Sequence, residues 1–381
     1  MENILLYWIL QSFCLLTFVF YGRVISKSKS ESNYWITVIP VIIVYSLIEG
    51  LRWNRGVDYS HYCQDLTGSL YTEYSELLYL GWITVFKWTG LPYWCAFILY
   101  SALLIISFLQ LIKNFRRSAY FSLPLFYLIT TLAAENLIRQ YLAVPFIMLC
   151  MDQVWRKKWI IAIMFALCAV NIHYSAIIPL LVIVAYEICN VDKIQSLVGG
   201  MKILKKPYML IVIFLFTFFF WKDSYMNEIT KYIYMFDVSS EVHGAGYLSD
   251  RWLTTEGISD YSGHRQISII GRTLMFLVFL PSIYYGFYAI KENYKLGLCF
   301  CFSYLAIIFD NIRGNFEIYG RVEQWFLYMI PVLYAVVYDQ LKSENIKKAY
   351  GIVLILQFFI YDFVRNIGSM PYAGCAFVWD N

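Results

Sequence analysis

Residues 91–117 read LPYWCAFILYSALLIISFLQLIKNFRR, a charge-free apolar run from Leu91 to Ile112 that stops at Lys113, Arg116 and Arg117. As a helix rising 1.5 Å per residue the run is about 33 Å long, enough to cross a hydrocarbon core roughly 30 Å thick. Inside that core no water is present to satisfy a backbone N–H or C=O, so the spanning element must be a helix or a closed barrel. An unbroken apolar run of this length, with no alternation of polar residues, selects the helix.

The same reading extends outward in both directions. Apolar runs predict helices near 4–21, 34–49, 91–112, 118–134, 140–154, 159–173, 175–190, 208–221, 267–290, 296–309, 322–338 and 350–364. The expected fold class is therefore all-α: one polytopic integral membrane domain over 1–381, with about twelve transmembrane helices. Composition agrees, with 60% hydrophobic residues, 20% aromatic, 15% charged and a mean hydropathy of +0.58. A soluble enzyme, a disordered chain and a nucleic-acid-binding module are excluded on that basis. The first run has its positive charges after it (Arg23, Lys27, Lys29) and no small-residue cleavage site, so it reads as an anchor rather than a signal peptide. The nine cysteines are odd in number, sit mostly in apolar runs and show no CxxC spacing, and they read as small hydrophobes. Cys63 and Cys375 alone stand in polar surroundings.

Basic clusters fix the expected orientation. Arg23/Lys27/Lys29, Lys113/Arg116/Arg117, Arg156/Lys157/Lys158, Lys193/Lys202/Lys205/Lys206, Lys291/Lys295 and Lys342/Lys347/Lys348 fall on alternate connections, which the positive-inside bias assigns to the cytoplasm. Counting 77–88 as a further span would turn every later cluster outward, so that stretch is expected to be a re-entrant or interfacial helix on the outer side. The lysines then gather inside, while Arg52, Arg55, Arg139, Arg251, Arg265, Arg272, Arg313, Arg321 and Arg365 lie outside. Guanidinium grips phosphate or carboxylate with two prongs, so this asymmetry points to an anionic ligand at the outer face. The outer acids are an equally good explanation, since they could pair with the same arginines.

The long polar segments 49–76, 222–266 and 310–321 all emerge on the outer side, where function is expected. Segment 222–266 is rich in Tyr, Trp and His (Tyr225, Tyr232, Tyr234, His243, Tyr247, Trp252, Tyr261, His264), a composition that suits stacking on sugar faces. An aromatic belt at the membrane interface accounts for much of it as well. The first outer loop runs Arg52-Trp-Asn-Arg55-Gly56-Val-Asp58-Tyr59-Ser-His61-Tyr62, with Glu73 and Glu76 beyond. It sets two arginines, a carboxylate and a glycine turn at a helix exit. Glu135-Asn136-Leu-Ile-Arg139-Gln140 occupies the next outer turn, where charges at the membrane need a partner or a ligand. His173 lies between two apolar runs, and Asp310-Asn-Ile-Arg313 through Gly320-Arg321 adds two arginines. No P-loop, GxGxxG or Asp-x-Asp pair is present, and no cofactor is expected.

Taken in order, Arg52, Gly56, Asp58-Tyr59, Tyr62, Glu76, Asn136, Arg139-Gln140, His173, Ser175 and Gly320-Arg321 give a chain that resembles the EpsG family of exopolysaccharide and capsule biosynthesis proteins. That family is similar to the Wzy-type, GT-C-like O-antigen polymerases. The resemblance runs from about residue 34 to 340 and leaves 222–266 without a matching motif. It implies a multi-pass protein of the bacterial cytoplasmic membrane that joins oligosaccharide repeat units carried on undecaprenyl diphosphate, with the active site facing outside. The lipid bilayer, the lipid-linked oligosaccharide, and a flippase and chain-length regulator of the same pathway are the implied partners, and nucleic acid is not. On this reading Arg52, Arg55, Arg139, Arg313 and Arg321 hold the diphosphate, Asp58, His173 or Glu76 takes the hydroxyl proton, Tyr59 and Gln140 support them, and no metal is assigned. Two rivals share most of these features: a flippase for the same lipid-linked glycan, and a ligase that moves finished glycan to another acceptor.

Overall fold

The computed structural model describes residues 4–28, 30–56, 58–70, 74–189, 206–222, 225, 268–290, 293–313, 317–364 and 377–378. The described residues form helices and no strand, apart from one isolated antiparallel bridge between Arg52 and Phe377. They fall into two compact units, 1–186 with 331–381, and 187–330.

In the first unit the chain order is α1 (Ile4–Ser26), α2 (Glu31–Gly50), α3 (Tyr59–Thr67), α4 (Leu77–Thr89), α5 (Trp94–Ile112), α6 (Ala119–Asn136), α7 (Ile138–Trp155), α8 (Trp159–Ile172) and the first part of α9 (Ile177–Cys189). Most of α14 (Ile330–Gln340) and all of α15 (Glu344–Leu354) belong to it too, and α15 continues into a π-helix over Ile355–Val364. The second unit holds the end of α9, then α10 (Tyr208–Phe219), α11 (Ile269–Ile290), α12 (Tyr294–Ile312) and α13 (Glu317–Leu327). The apolar runs are thus helical. The run expected at 322–338 is broken into α13 and α14, and α12 with α13 shortens the loop expected at 310–321. Among the described residues, five segments are long and apolar enough to cross a membrane: Leu5–Ser26, Glu31–Gly50, Trp94–Asn136, Ile269–Ile290 and Tyr294–Ile312. The third bends at Phe115, where φ −126° and ψ 28° interrupt the helix between α5 and α6. Helix α4, at 13 residues, is about 20 Å long, as short as α9 and α10 at 13 and 12 residues, so length does not separate it from the expected spans.

Several helices turn an apolar face outward, while α5 and α7 are largely buried. On α1, Leu5, Ile9, Phe13, Leu16 and Phe20 recur every three to four residues and are exposed, while Tyr7, Gln11, Cys14 and Phe18 are buried. Exposed stripes also mark α8 (Ile160, Ile163, Met164, Leu167) and α9 (Ile177, Leu181, Val184, Ile188). Contiguous apolar surface of this extent is tolerable against lipid and not against water.

Where lipid supplies the apolar phase, helices are held together by close packing and polar contacts rather than by hydrophobic burial. Two glycines do this in the first unit. A Cβ on Gly50 would lie 2.5 Å from Ile98 Cα, so the end of α2 touches the backbone of α5. A Cβ on Gly22 would lie 2.8 Å from the Ala119 carbonyl, bringing α1 against the start of α6. Between these contacts Phe18, Tyr45 and Tyr127 pack as tilted and edge-on rings, and Phe108 stacks on Phe126 with centroids 3.8 Å apart. In the second unit Phe214 and Phe218 of α10 meet Phe276 of α11, and Phe326 of α13 packs between Phe302 and Phe309 of α12.

Candidate functional site

The loop expected on the outer side begins where Gly50 ends α2. Asn54 (φ 47°) and Gly56 (φ 105°) both take the left-handed region, which turns the chain back over the end of α6. At Gly56 the turn admits no side chain: a Cβ would stand 2.4 Å from the Glu135 carbonyl oxygen. The glycine therefore lays the Arg52–Asp58 turn directly on the α6 terminus. From the other side, the Val378 N–H donates to the Leu51 carbonyl at 3.2 Å beside the Arg52–Phe377 bridge.

The two loop arginines lie inside the protein. Arg52 is 1% exposed; its Nη1 donates to the Glu49 carbonyl and its Nε to the Arg55 carbonyl at 3.3 Å. The Tyr59 hydroxyl donates to the Arg52 carbonyl at 2.8 Å, and the guanidinium lies 5.7 and 5.5 Å from the Tyr59 and Phe97 ring centroids. Those rings stack on each other at 4.9 Å, so Arg52 rests against a paired aromatic wall. Its Nη2 is buried and meets no hydrogen-bond partner among the described residues.

Arg55 is clamped between two acids. Its Nη2 is 2.7 Å from Glu49 Oε2 and its Nε is 3.0 Å from Glu135 Oε1, with side-chain exposures of 3–4% throughout. The Tyr7 ring covers the guanidinium at 4.8 Å. Behind Glu49, Gln11 donates to Oε1 at 3.3 Å, and the Tyr127 hydroxyl donates to the Gln11 side chain. Three helices, α1, α2 and α6, and the loop that carries Arg55 thus meet through one buried polar network at the end of the bundle that the charge pattern assigns to the outside.

Beside this network stands a second one. Arg139, in the first turn of α7, points Nη1 at both oxygens of Glu76, 3.1 Å from each. Tyr74 and Tyr79 flank its guanidinium at 4.9 and 5.7 Å, and their hydroxyls donate to Asp65 Oδ2 at 2.8 and 3.0 Å. Asp65 is fully buried and fixes both rings against Arg139. Tyr62, one helical turn before it on α3, neighbours Arg139 and Asp58, and burial pushes its phenol, like that of Tyr59, well above the ordinary tyrosine range. A cavity of about 20 Å³ opens beside Tyr62, Tyr79, Phe97 and Ile138, with room for about one water.

Asp58 is the N-cap residue of α3 and is half-buried; Gln140 is buried on α7. His173 ends α8, with Nδ1 2.9 Å from the Ser175 hydroxyl. Next to it the Tyr174 hydroxyl donates to the Ser75 carbonyl at 3.4 Å, bringing the α8–α9 turn to the segment that carries Glu76. Arg52, Arg55, Asp58, Tyr59, Glu76, Arg139, Gln140 and His173 all belong to the first unit, on the α2–α3 loop, α3, the start of α4, α7 and the end of α8. Arg313 and Arg321 belong to the second unit. There Arg313 pairs with Asp310 at 3.2 Å and Glu323 at 2.9 Å, its Nη1 fitting over Gly320, and Arg321 is half-buried. Glu73, Arg251, Arg265 and Arg365, nearly all of the aromatic segment 222–266, and Cys375 lie outside the described residues; Cys63 is a free thiol.

Sequence reasoning did not select Glu49, Gln11, Tyr7, Tyr127, Asp65, Tyr74 or Tyr79. Gln11 and Glu49 carried a signal, since a polar residue within an apolar run has to be paired in the bundle interior. Asp65, on a short polar segment, carried none. Among the described residues no group of three or more His, Cys, Asp or Glu side chains is placed to hold a metal ion.

With this geometry in view, comparison with known proteins gives one match: the family model described as EpsG family covers residues 34–373. No curated protein and no solved structure matches the chain.

Proposed function

The chain belongs to the EpsG family, and from that premise we propose that it is a polysaccharide-forming membrane glycosyltransferase. It joins repeat units carried on a polyprenyl diphosphate at the outer face of the membrane. The Arg139–Glu76 pair carries this reading. Arg55 is enclosed by two carboxylates and a ring, at 4% side-chain exposure, whereas Arg139 is 22% exposed and holds Glu76 through a single nitrogen. An arriving diphosphate can compete for Arg139 and cannot readily compete for Arg55.

The reaction is displacement at the anomeric carbon. A hydroxyl of one glycan forms the new C–O bond, the bond to the lipid diphosphate breaks with its electrons, and the diphosphate leaves. Arg139, already oriented by the Tyr74 and Tyr79 rings, stabilises the charge growing on the leaving group, while Arg52, 1% exposed, is as closed to it as Arg55. When diphosphate takes the guanidinium, Glu76 is released from its ion pair and becomes a base able to accept the hydroxyl proton; Asp58 and His173 stand on adjacent segments for the same task. Arg313 and Arg321, in the second unit, are proposed to bind further phosphate or sugar oxygens.

The test is the size distribution of surface polysaccharide in a deletion strain complemented with variants. Wild type restores long chains, whereas Arg139→Ala and Glu76→Gln leave single repeat units, polymerisation falling by about 10²-fold or more. Long chains of normal length from both variants would remove the pair from the chemistry. Lipid-linked units trapped on the inner leaflet of the deletion strain would indicate a flippase instead.

A further inference from the structure

At the opposite end of the first unit a half-open cavity of about 360 Å³ is lined by α1, α6, α14, α15 and the π-helix, a volume in the range of small-ligand sites. Leu15, Val19 and Arg23 of α1 and Tyr120, Pro124 and Leu128 of α6 line two of its walls. Eight residues on each helix give a channel about 12 Å long. It is apolar along its length, with Arg23 at one end.

The channel has structural causes. Gly22 brings α1 onto the Ala119 carbonyl, closing the two helices together beside Arg23. Pro124 removes a backbone hydrogen bond from α6 at mid-channel. Opposite, Ile355 and Phe359 project from a ten-residue π-helix, a wide and rare backbone form that recurs at functional sites. Tyr338 stacks on Phe121 at 4.9 Å and is held from behind by Gly351, where a Cβ would come within 2.9 Å of its ring.

The mouth is charged for an anion. Arg23 is exposed there, and the Lys347 ammonium lies 4.9 Å from the Tyr338 ring centroid. In the sequence Lys342 and Lys348 flank Lys347, with Glu344 between them, and Lys27 follows Arg23. The nearby acid, Asp339, accepts hydrogen bonds from Ser118 and Tyr120 and holds Tyr120 at the wall. An apolar channel with cations only at its entrance matches an amphiphile with an anionic head. Tyr7, which covers Arg55, lies sixteen residues from Arg23 on α1, about 24 Å away along the helix. The channel is therefore separate from the arginine networks.

We propose that this channel binds an anionic glycerophospholipid, one acyl chain between α1, α6 and the π-helix and the phosphate against Arg23. The experiment incubates the full-length protein, purified in a non-ionic detergent, with equal amounts of phosphatidylglycerol and phosphatidylcholine of identical chains. Retained lipid is read by native mass spectrometry. Wild type retains phosphatidylglycerol preferentially. Arg23→Gln, at an exposed position, reduces that retention by about fivefold, the effect of one cation near a membrane surface, and leaves phosphatidylcholine unchanged. Leu128→Trp, which fills the channel, reduces both, with gel filtration confirming that each variant is folded. If Leu128→Trp does not fold, Arg23→Gln decides alone. Equal retention of the two lipids by wild type overturns the proposal, as does unchanged retention in Arg23→Gln. Preference for undecaprenyl phosphate over phosphatidylglycerol at equal load also overturns it, by making the occupant a polyprenyl carrier.

Discussion

Removing the Arg55 side chain separates a structural role from a ligand-binding one. Arg55→Ala leaves Glu49 and Glu135, at 3% and 4% side-chain exposure, without the cation that sits 2.7 and 3.0 Å from them. Breaking a buried ion pair from one side costs about 3–5 kcal/mol, because the remaining charge stays desolvated. Against a total stability of roughly 5–15 kcal/mol, that is a large fraction. Taking about 2–4 °C per kcal/mol for a domain of 150–250 residues, the melting point should fall by roughly 6–20 °C. The assay is the fraction of monodisperse protein remaining on gel filtration after heating in detergent. The neutral replacement Glu49→Gln/Arg55→Met/Glu135→Gln should recover most of the loss, since exchanging a whole buried ion cluster for neutral groups of similar volume is close to neutral in energy. A melting point within about 2 °C of wild type for Arg55→Ala, together with loss of polymer, would refute the structural assignment and make Arg55 a substrate contact.

Other outcomes follow from the same geometry. Gly56→Ala adds a Cβ 2.4 Å from the Glu135 carbonyl at φ 105°; the backbone conformation alone costs about 1–2 kcal/mol, and the lifted turn should lower both melting temperature and chain length, whereas normal values for both would contradict the close approach. Asp65→Asn weakens the acceptor shared by Tyr74 and Tyr79, and a loss of about 1 kcal/mol should appear in the same thermal assay along with shorter polymer. Arg139→Lys keeps the charge and loses the planar fork, so its polymer should be intermediate between wild type and Arg139→Ala on a gel. For Tyr59 and Tyr62 the folded phenols titrate above their unfolded value of about 10, so their contribution to stability is complete below that pH and is lost as pH rises past it. Tyr59→Phe/Tyr62→Phe should therefore flatten the decline of melting temperature between about pH 10 and 11; an unchanged slope would show that these phenols are hydrated.

Part of the site could be read before the fold was known. Arg52, Arg55, Asp58, Glu76, Arg139 and His173 were selected because charge at a membrane boundary demands a partner; all six lie in the first unit, and the structure pairs Arg55 with Glu49 and Glu135 and Arg139 with Glu76. Which partner each charge takes could not be read. Arg55 was equally eligible for a ligand and for an acid, and Asp58 was the acid nearest to it in sequence. The fold brings Glu49 from the preceding helix and Glu135 from α6 instead, because Gly56 lays the loop on the Glu135 carbonyl. Glu76 likewise faces Arg139, sixty-three residues away. Sequence distance carries no information about such pairs, since helices of similar length re-enter the same boundary wherever they fall in the chain.

The chain alone determined what depends on transfer free energy: helices where apolar runs are long enough, lysines at one set of connections, and charged residues confined to boundaries. Those are properties of each segment against lipid and water, and each segment carries them by itself. Only the tertiary structure decided what depends on pairwise geometry, namely Arg55 between two buried acids, Arg139 between two rings with Glu76 in its grasp, and a cavity lined by Pro124 and the π-helix. A guanidinium has the same hydration cost wherever it is written in the sequence, but its partner is whichever carboxylate the packing brings within about 3 Å.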